Sequence, residues 1–167
     1  CGIVPVDGGG YAAVSGKERH PVVFVDQEDA RAFSRWAGKR LPTEHEWEIA
    51  ARGVEARRFP WGASEPDDWR ANFDFRVGHT TPVGSYPRGV TPEGVHDLAG
   101  NVWELVEGSW AAYPWSVATD APRTSGPLMR GGAWGTPASI LSSTYRDAWK
   151  GHSAMVGFRC AMDEPER

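Results

Sequence analysis

At 167 residues the chain has room for one domain with a sizeable core. Its 9 Trp, 20 Gly and 13 Pro predict an aromatic core wrapped in loops, not a helical bundle, a doubly wound sheet or a disordered chain. A net charge of -4 with interspersed signs gives no nucleic-acid footprint, and no apolar run approaches the roughly 20 residues of a membrane helix.

Residues 1–20 are Gly-rich and weakly patterned. Cys1-Gly2 is compatible with a lipidated bacterial N-terminus or with a trimmed fragment. The location is therefore open between a bacterial cytoplasm and a cell-envelope lipoprotein. Cys1 and Cys160 are too few for a disulfide framework. A single bridge between them stays open, the expectation being a reduced, partly buried Cys160.

The run Pro21-Val22-Val23-Phe24-Val25 predicts a buried strand. From Asp26 the apolar period becomes helical, with Ala30, Phe33, Trp36 and Ala37 on one face and Gly38 as the stop. Thr43-Glu44-His45-Glu46 is a capping box opening a second helix, with Trp47, Ala50 and Ala51 buried and Gly53 ending it. Residues 54–100 then carry frequent Pro, Gly, Asp and Asn with no long period. A loop region of that length is usually functional or held by a metal. Strands are predicted over 102–106, 128–134, 143–146 and 156–161. Two early helices and short late strands give an α+β class.

Seven segments in this order carry a family resemblance. They are 37–48, Phe59-Pro60-Trp61-Gly62, Ala71-Asn72, 81–85, His96-Asp97-Leu98-Ala99-Gly100-Asn101-Val102-Trp103-Glu104, Arg130-Gly131-Gly132-Ala133-Trp134 and Gly157-Phe158-Arg159-Cys160-Ala161. They resemble the formylglycine-generating, sulfatase-modifying-factor superfamily. The resemblance implies a C-type-lectin-like fold of short antiparallel strands and long irregular loops. It assigns 21–162 to the domain, 163–167 to a polar tail, and a truncated opening region to 1–20.

It also implies a calcium site using the Asp97 and Glu104 side chains and the Gly100 and Val102 carbonyls. Two carboxylates and two carbonyls on one turn suit an ion that takes about six to eight oxygens. The alternative is a turn in which Asp97 caps its own backbone and Glu104 sits in an ion pair. A second family calcium site matches only at Asn72 and Phe73; its other half is shortened, leaving Asp74 as the one nearby acid.

The copper-binding cysteines of the formylglycine-generating enzyme fall on Thr136 and Leu141, or on Thr144 if an insertion is allowed. None is a cysteine, and Cu(I) needs soft thiolates, so no copper is expected. The nonhaem-iron sulfoxide synthases of the superfamily take their iron histidines largely from another domain. His20, His45, His79, His96 and His152 show no spacing of an iron triad. What remains is a surface over 133–155, with Trp149, Tyr145, Ser143, Asp147, His152 and Thr136 as candidate contacts to a protein, peptide or small molecule. Arg130, Arg146 and Arg159 are expected to pair with buried acids or carbonyls. The leading expectation is a calcium-braced binding scaffold, one form of which resembles the variable proteins of diversity-generating retroelements. The alternatives are a metal-dependent oxidative enzyme whose iron-ligand domain is missing from this chain, and a module of a larger protein.

Overall fold

A computed structural model describes residues 2–110 and 126–163. Cys1 and residues 164–167 of the expected polar tail lie outside the described residues. The element order is β1 (Ile3–Pro5), β2 (Tyr11–Ala13), α1 (Gln27–Trp36), α2 (Glu44–Arg52), β3 (Trp103–Ser109), β4 (Pro127–Arg130), β5 (Arg146–Ala148) and β6 (Val156–Phe158). The first two strands form a separate exposed hairpin that the Gly-rich composition did not suggest.

Both helices begin on reciprocal caps. Asp26 accepts from the Asp29 amide at 2.9 Å, and Asp29 accepts from the Asp26 amide at 3.2 Å. Thr43 and Glu46 make the same exchange for α2, at 3.2 and 2.8 Å. Such caps are worth about 1 kcal/mol each. A bidentate hydrogen bond from Arg40 holds the Glu46 carboxyl down to about 2.

Of the apolar stripe read for α1, only Ala30 is buried. Phe33 is half exposed and Trp36 is 81% exposed, whereas Gln27, Ala30 and Ser34 face the sheet. Polar side chains suffice there because their partners are fixed backbone groups. Gln27 Nε2 donates to the Val106 and Gly108 carbonyls at 2.7 and 3.1 Å, and Ser34 Oγ donates to the Ala30 carbonyl at 2.7 Å. Cys160 is half-buried, 3.4 Å from Ser34 Oγ, and has no disulfide partner among the described residues.

The main sheet has the order β5-β4-β3-β6. Strands β3 and β4 are antiparallel, with Glu104 opposite Arg130, and β4 and β5 are antiparallel. Strand β6 joins β3 in parallel, with Trp103 opposite Val156. The predicted 143–146 strand forms three residues later. The 128–134 strand stops at Arg130, because Gly131 and Gly132 take φ of 93° and 74° and turn the chain away. Residues 21–25 are not a strand; Phe24 takes φ 62°, and its amide donates to the Ser153 carbonyl at 3.0 Å.

The stretch 54–100 holds no helix or strand, and its order comes from backbone bonds to distant loops. The Asp74 and Phe75 amides donate to the carbonyls of Thr136 and Trp134 at 2.9 and 2.8 Å, and Ser143 donates to Arg58 at 2.8 Å. Phe59 and Phe73 anchor the same stretch in a core cluster with Ala71, Ala99 and Leu141. Two further clusters surround Trp103 and Trp47.

Candidate functional site

Two places carry the residues singled out by sequence. The first is the turn entering β3. Asp97, Gly100 and Asn101 take φ of 58°, 76° and 64°, the left-handed region that Asp, Gly and Asn tolerate best. Glycine at 100 is also forced by space, since a Cβ there would lie 2.4 Å from the Asn72 carbonyl oxygen. Buried Asn101 is the hub that sequence reading missed. Its Oδ1 accepts from the Thr81 amide at 2.9 Å, its Nδ2 donates to the Thr81 carbonyl at 3.1 Å, and its own amide donates to Asn72 at 2.8 Å. The Gly-Asn pair marks a turn in sequence, but not its tertiary partners.

Asp97, Val102 and Glu104 line one cavity of about 580 Å³, together with Gly84, His96 and Arg159. Glu104 is buried and fully engaged. Arg159 donates to its two oxygens at 2.6 Å each, and the Trp47 indole N–H donates to Oε2 at 2.6 Å. The ion-pair arrangement of Glu104 therefore exists in the fold. Asp97 does not cap its own turn; it accepts from the Gly84 amide at 2.7 Å. Burial pushes its carboxyl above the ordinary 3.8 and the charge of Glu104 adds to this, against the Gly84 amide and Arg159.

At the weaker position, Asn72 Nδ2 donates to the His79 carbonyl at 2.8 Å, and the Phe73 carbonyl accepts from Arg76 at 3.1 Å. Asn72 Oδ1 is buried without a hydrogen-bond partner among the described residues.

The second place is 133–155, and the fold divides its candidates. Ser143 is fully buried, and Tyr145 packs against Trp103 with ring centroids 6.0 Å apart. Thr136 Oγ1 donates to the Ala133 carbonyl and accepts from the Ala133 amide, each at 2.9 Å. Asp147 lies in β5, its Oδ1 accepting from the Ala148 amide at 2.8 Å. Trp149, 39% exposed, and Lys150 line an open groove of about 530 Å³ with Asp26, Gln27, Leu105 and Pro127. His152 is exposed at the same end of the molecule, beside Asp29.

Where the resemblance expects copper thiolates the chain carries Thr136 and Leu141, with Thr144, an exposed residue, as the alternative to Leu141. Leu141 is 0% exposed, and a Cβ on Gly132 would meet its methyl at 2.6 Å and the Thr136 hydroxyl at 2.9 Å. A packed methyl and a hydroxyl committed to its own turn replace two soft donors. The three arginines are structural. Arg130 pairs with Glu48 at 2.6 Å, Arg146 with Glu44 at 2.7 Å, and Arg159 with Glu104.

Residues 5–164 match the Sulfatase-modifying factor enzyme 1-like domain. The chain belongs to this family. The formylglycine-generating enzyme of Streptomyces coelicolor is 37% identical over 182 residues, covering 93% of this chain and 56% of that protein. The hercynine oxygenase of Mycobacterium tuberculosis is 37% identical over 138 residues, covering 76% of this chain and 32% of that protein. The chain thus spans about a third to a half of these relatives. Among solved structures, Treponema denticola variable protein 1 superposes with a TM-score of 0.67 at 22% identity, covering 92% of this chain and 75% of that one. The sulfatase-modifying-factor domain therefore has the C-type-lectin-like architecture. Among the described residues no helix is long and apolar enough to cross a membrane.

Proposed function

We propose that this sulfatase-modifying-factor domain is a calcium-braced binding scaffold. It presents the groove beside Trp149 to a protein, peptide or small-molecule ligand and carries no copper oxidation. The observation behind this reading is the contrast between two places. Leu141 is closed into the interior and the half-buried Thr136 hydroxyl is spent on the Ala133 backbone, while Trp149 lines an open groove. Tryptophan offers a large rigid contact area at low entropic cost. A displayed-peptide library panned on the domain is expected to yield binders that weaken at least about 30-fold on Trp149→Ala, a hot-spot loss of ~2 kcal/mol. Binders indifferent to that change would count against the groove.

The donors calcium would use are the Asp97 carboxylate and the Val102 carbonyl at the cavity, the Gly100 carbonyl of the same turn, and Glu104, which the ion would share with Arg159 and the Trp47 indole. It would supply charge neutralisation to an irregular turn. The pKa of Asp97 is raised in the folded state, so its contribution to stability is full below the ordinary 3.8 and is lost as pH rises through the folded value. At neutral pH its charged, half-buried carboxylate is a cost that a bound cation relieves. Calcium is expected to raise Tm at pH 7 relative to EGTA. Asp97→Asn is expected to abolish that increment and to stabilise the calcium-free protein. A wild-type Tm indifferent to calcium would sink this part of the reading.

The shared fold with the Treponema variable protein supports one form of the scaffold, in which 133–155 is a variable segment. Gene copies differing only there would mark it. Similarity to hercynine oxygenase favours a second reading, an iron-dependent oxidative enzyme completed by another domain. Stoichiometric iron with oxygen uptake in the full-length protein would select that reading.

A further inference from the structure

The Trp149 groove ends at a group of side chains that the binding reading leaves unused. Asp26 and Asp29 stand at the start of α1, and His152 approaches from the loop that follows Trp149. One donor atom from each of the three lies within 4.8 Å of the others. His152 Nε2 is 3.6 Å from Asp29 Oδ2, beyond a hydrogen bond. That separation matches two ligands sharing one ion, since metal–ligand bonds of about 2.1 Å place tetrahedral neighbours ~3.4 Å apart.

The helix cap does not exhaust the two carboxylates. Asp26 receives the Asp29 amide on Oδ1, which leaves its Oδ2 for an ion; Asp29 Oδ2, the oxygen nearest His152, accepts the Asp26 amide at 3.2 Å and keeps a second lone pair for the same ion. The cap also fixes both carboxylates on one turn of backbone, which lowers the ordering cost of gathering them. An exposed His–Asp pair alone is worth little. One imidazole with two fixed carboxylates is instead a mixed nitrogen–oxygen donor set of the kind that divalent transition metals prefer.

We infer that Asp26, Asp29 and His152 form a site for a divalent transition-metal ion of the zinc type. Three protein ligands leave a coordination position open. Of the three ligands Asp26 lines the groove, together with Lys150 and Gly151, so the site adjoins it. Ion binding stands on the three side chains alone; only a ligand's use of the open position rests on the groove reading. The site joins the start of α1 to the 149–152 loop, so an ion there fixes the groove's width.

Equilibrium dialysis of the chain against zinc chloride, read by elemental analysis, tests the site. The expected result is one saturable zinc per chain. Affinity should fall at least about 10-fold in His152→Ala, since even loss of an outer-shell partner costs that much. Asp26→Asn should also weaken zinc, while asparagine keeps the helix cap and the melting temperature confirms the fold. His45→Ala, on an exposed histidine elsewhere, should leave zinc binding unchanged. Absence of saturable zinc, or binding that survives both His152→Ala and Asp26→Asn, overturns the site. Trp149→Ala separates the two readings: it should weaken peptide binding at least about 30-fold and leave the zinc stoichiometry at one.

Discussion

Replacing Arg130 by methionine is expected to destabilise the fold by about 3–5 kcal/mol, the range for breaking a buried ion pair from one side. Arg130 is 0% exposed and sits at the centre of the sheet–helix interface. Its Nη2 donates to Glu48 at 2.6 Å and to the Ser143 carbonyl at 2.9 Å, its Nη1 donates to the Thr144 carbonyl at 3.1 Å, and the guanidinium lies 5.1 Å from the Trp47 ring centre. Methionine fills the volume but leaves two carbonyls without these donors. Burial already pushes the Glu44 carboxyl up, against Arg146 and Arg130, so loss of Arg130 strands more negative charge on α2. Urea unfolding monitored by tryptophan fluorescence measures the change. A loss below about 1 kcal/mol, the scale of a surface pair, would mean that water reaches this network in solution.

Glu104→Leu should cost a similar ~3–5 kcal/mol, and it should do so in EGTA as well as in calcium. The change removes the partner of Arg159 and the acceptor of the Trp47 indole together. Glu104→Gln keeps an acceptor for the indole and should lose less, about 1–3 kcal/mol, the scale of one charge-assisted hydrogen bond. Calcium-free conditions make the comparison decisive. If Glu104 served only as a calcium ligand, both variants would melt with the wild type in EGTA. The ion pair predicts that both melt earlier in EGTA, with leucine the more damaging.

Legibility in the sequence followed the range of the interactions involved. The α2 start at Thr43 was readable because a capping box is complete within four residues. The stop at Gly53 and the strand entered at Trp103 were readable for the same local reason. The buried face of α1 was not. Phe33 and Trp36 carry the hydrophobic signal, yet Gln27 and Ser34 turn inward, because the carbonyls that accept from Gln27 lie on β3. The candidate contacts over 133–155 divided in the same way. Nothing in the local pattern separates Ser143, which is buried, from Trp149, which lines the groove, since both depend on how β5 and the preceding loop register against β4.

By itself, the sequence determined the family, the two helix starts, the α+β class and the lack of thiolates at Thr136 and Leu141, all carried by residue identity at fixed spacing. Tertiary structure decided which charges meet. Glu104 found Arg159 and Trp47, Arg130 found Glu48, and Arg146 found Glu44, each across a long stretch of chain. Short-range periodicity holds no information about such pairs, because they form only where separate elements are packed against one sheet.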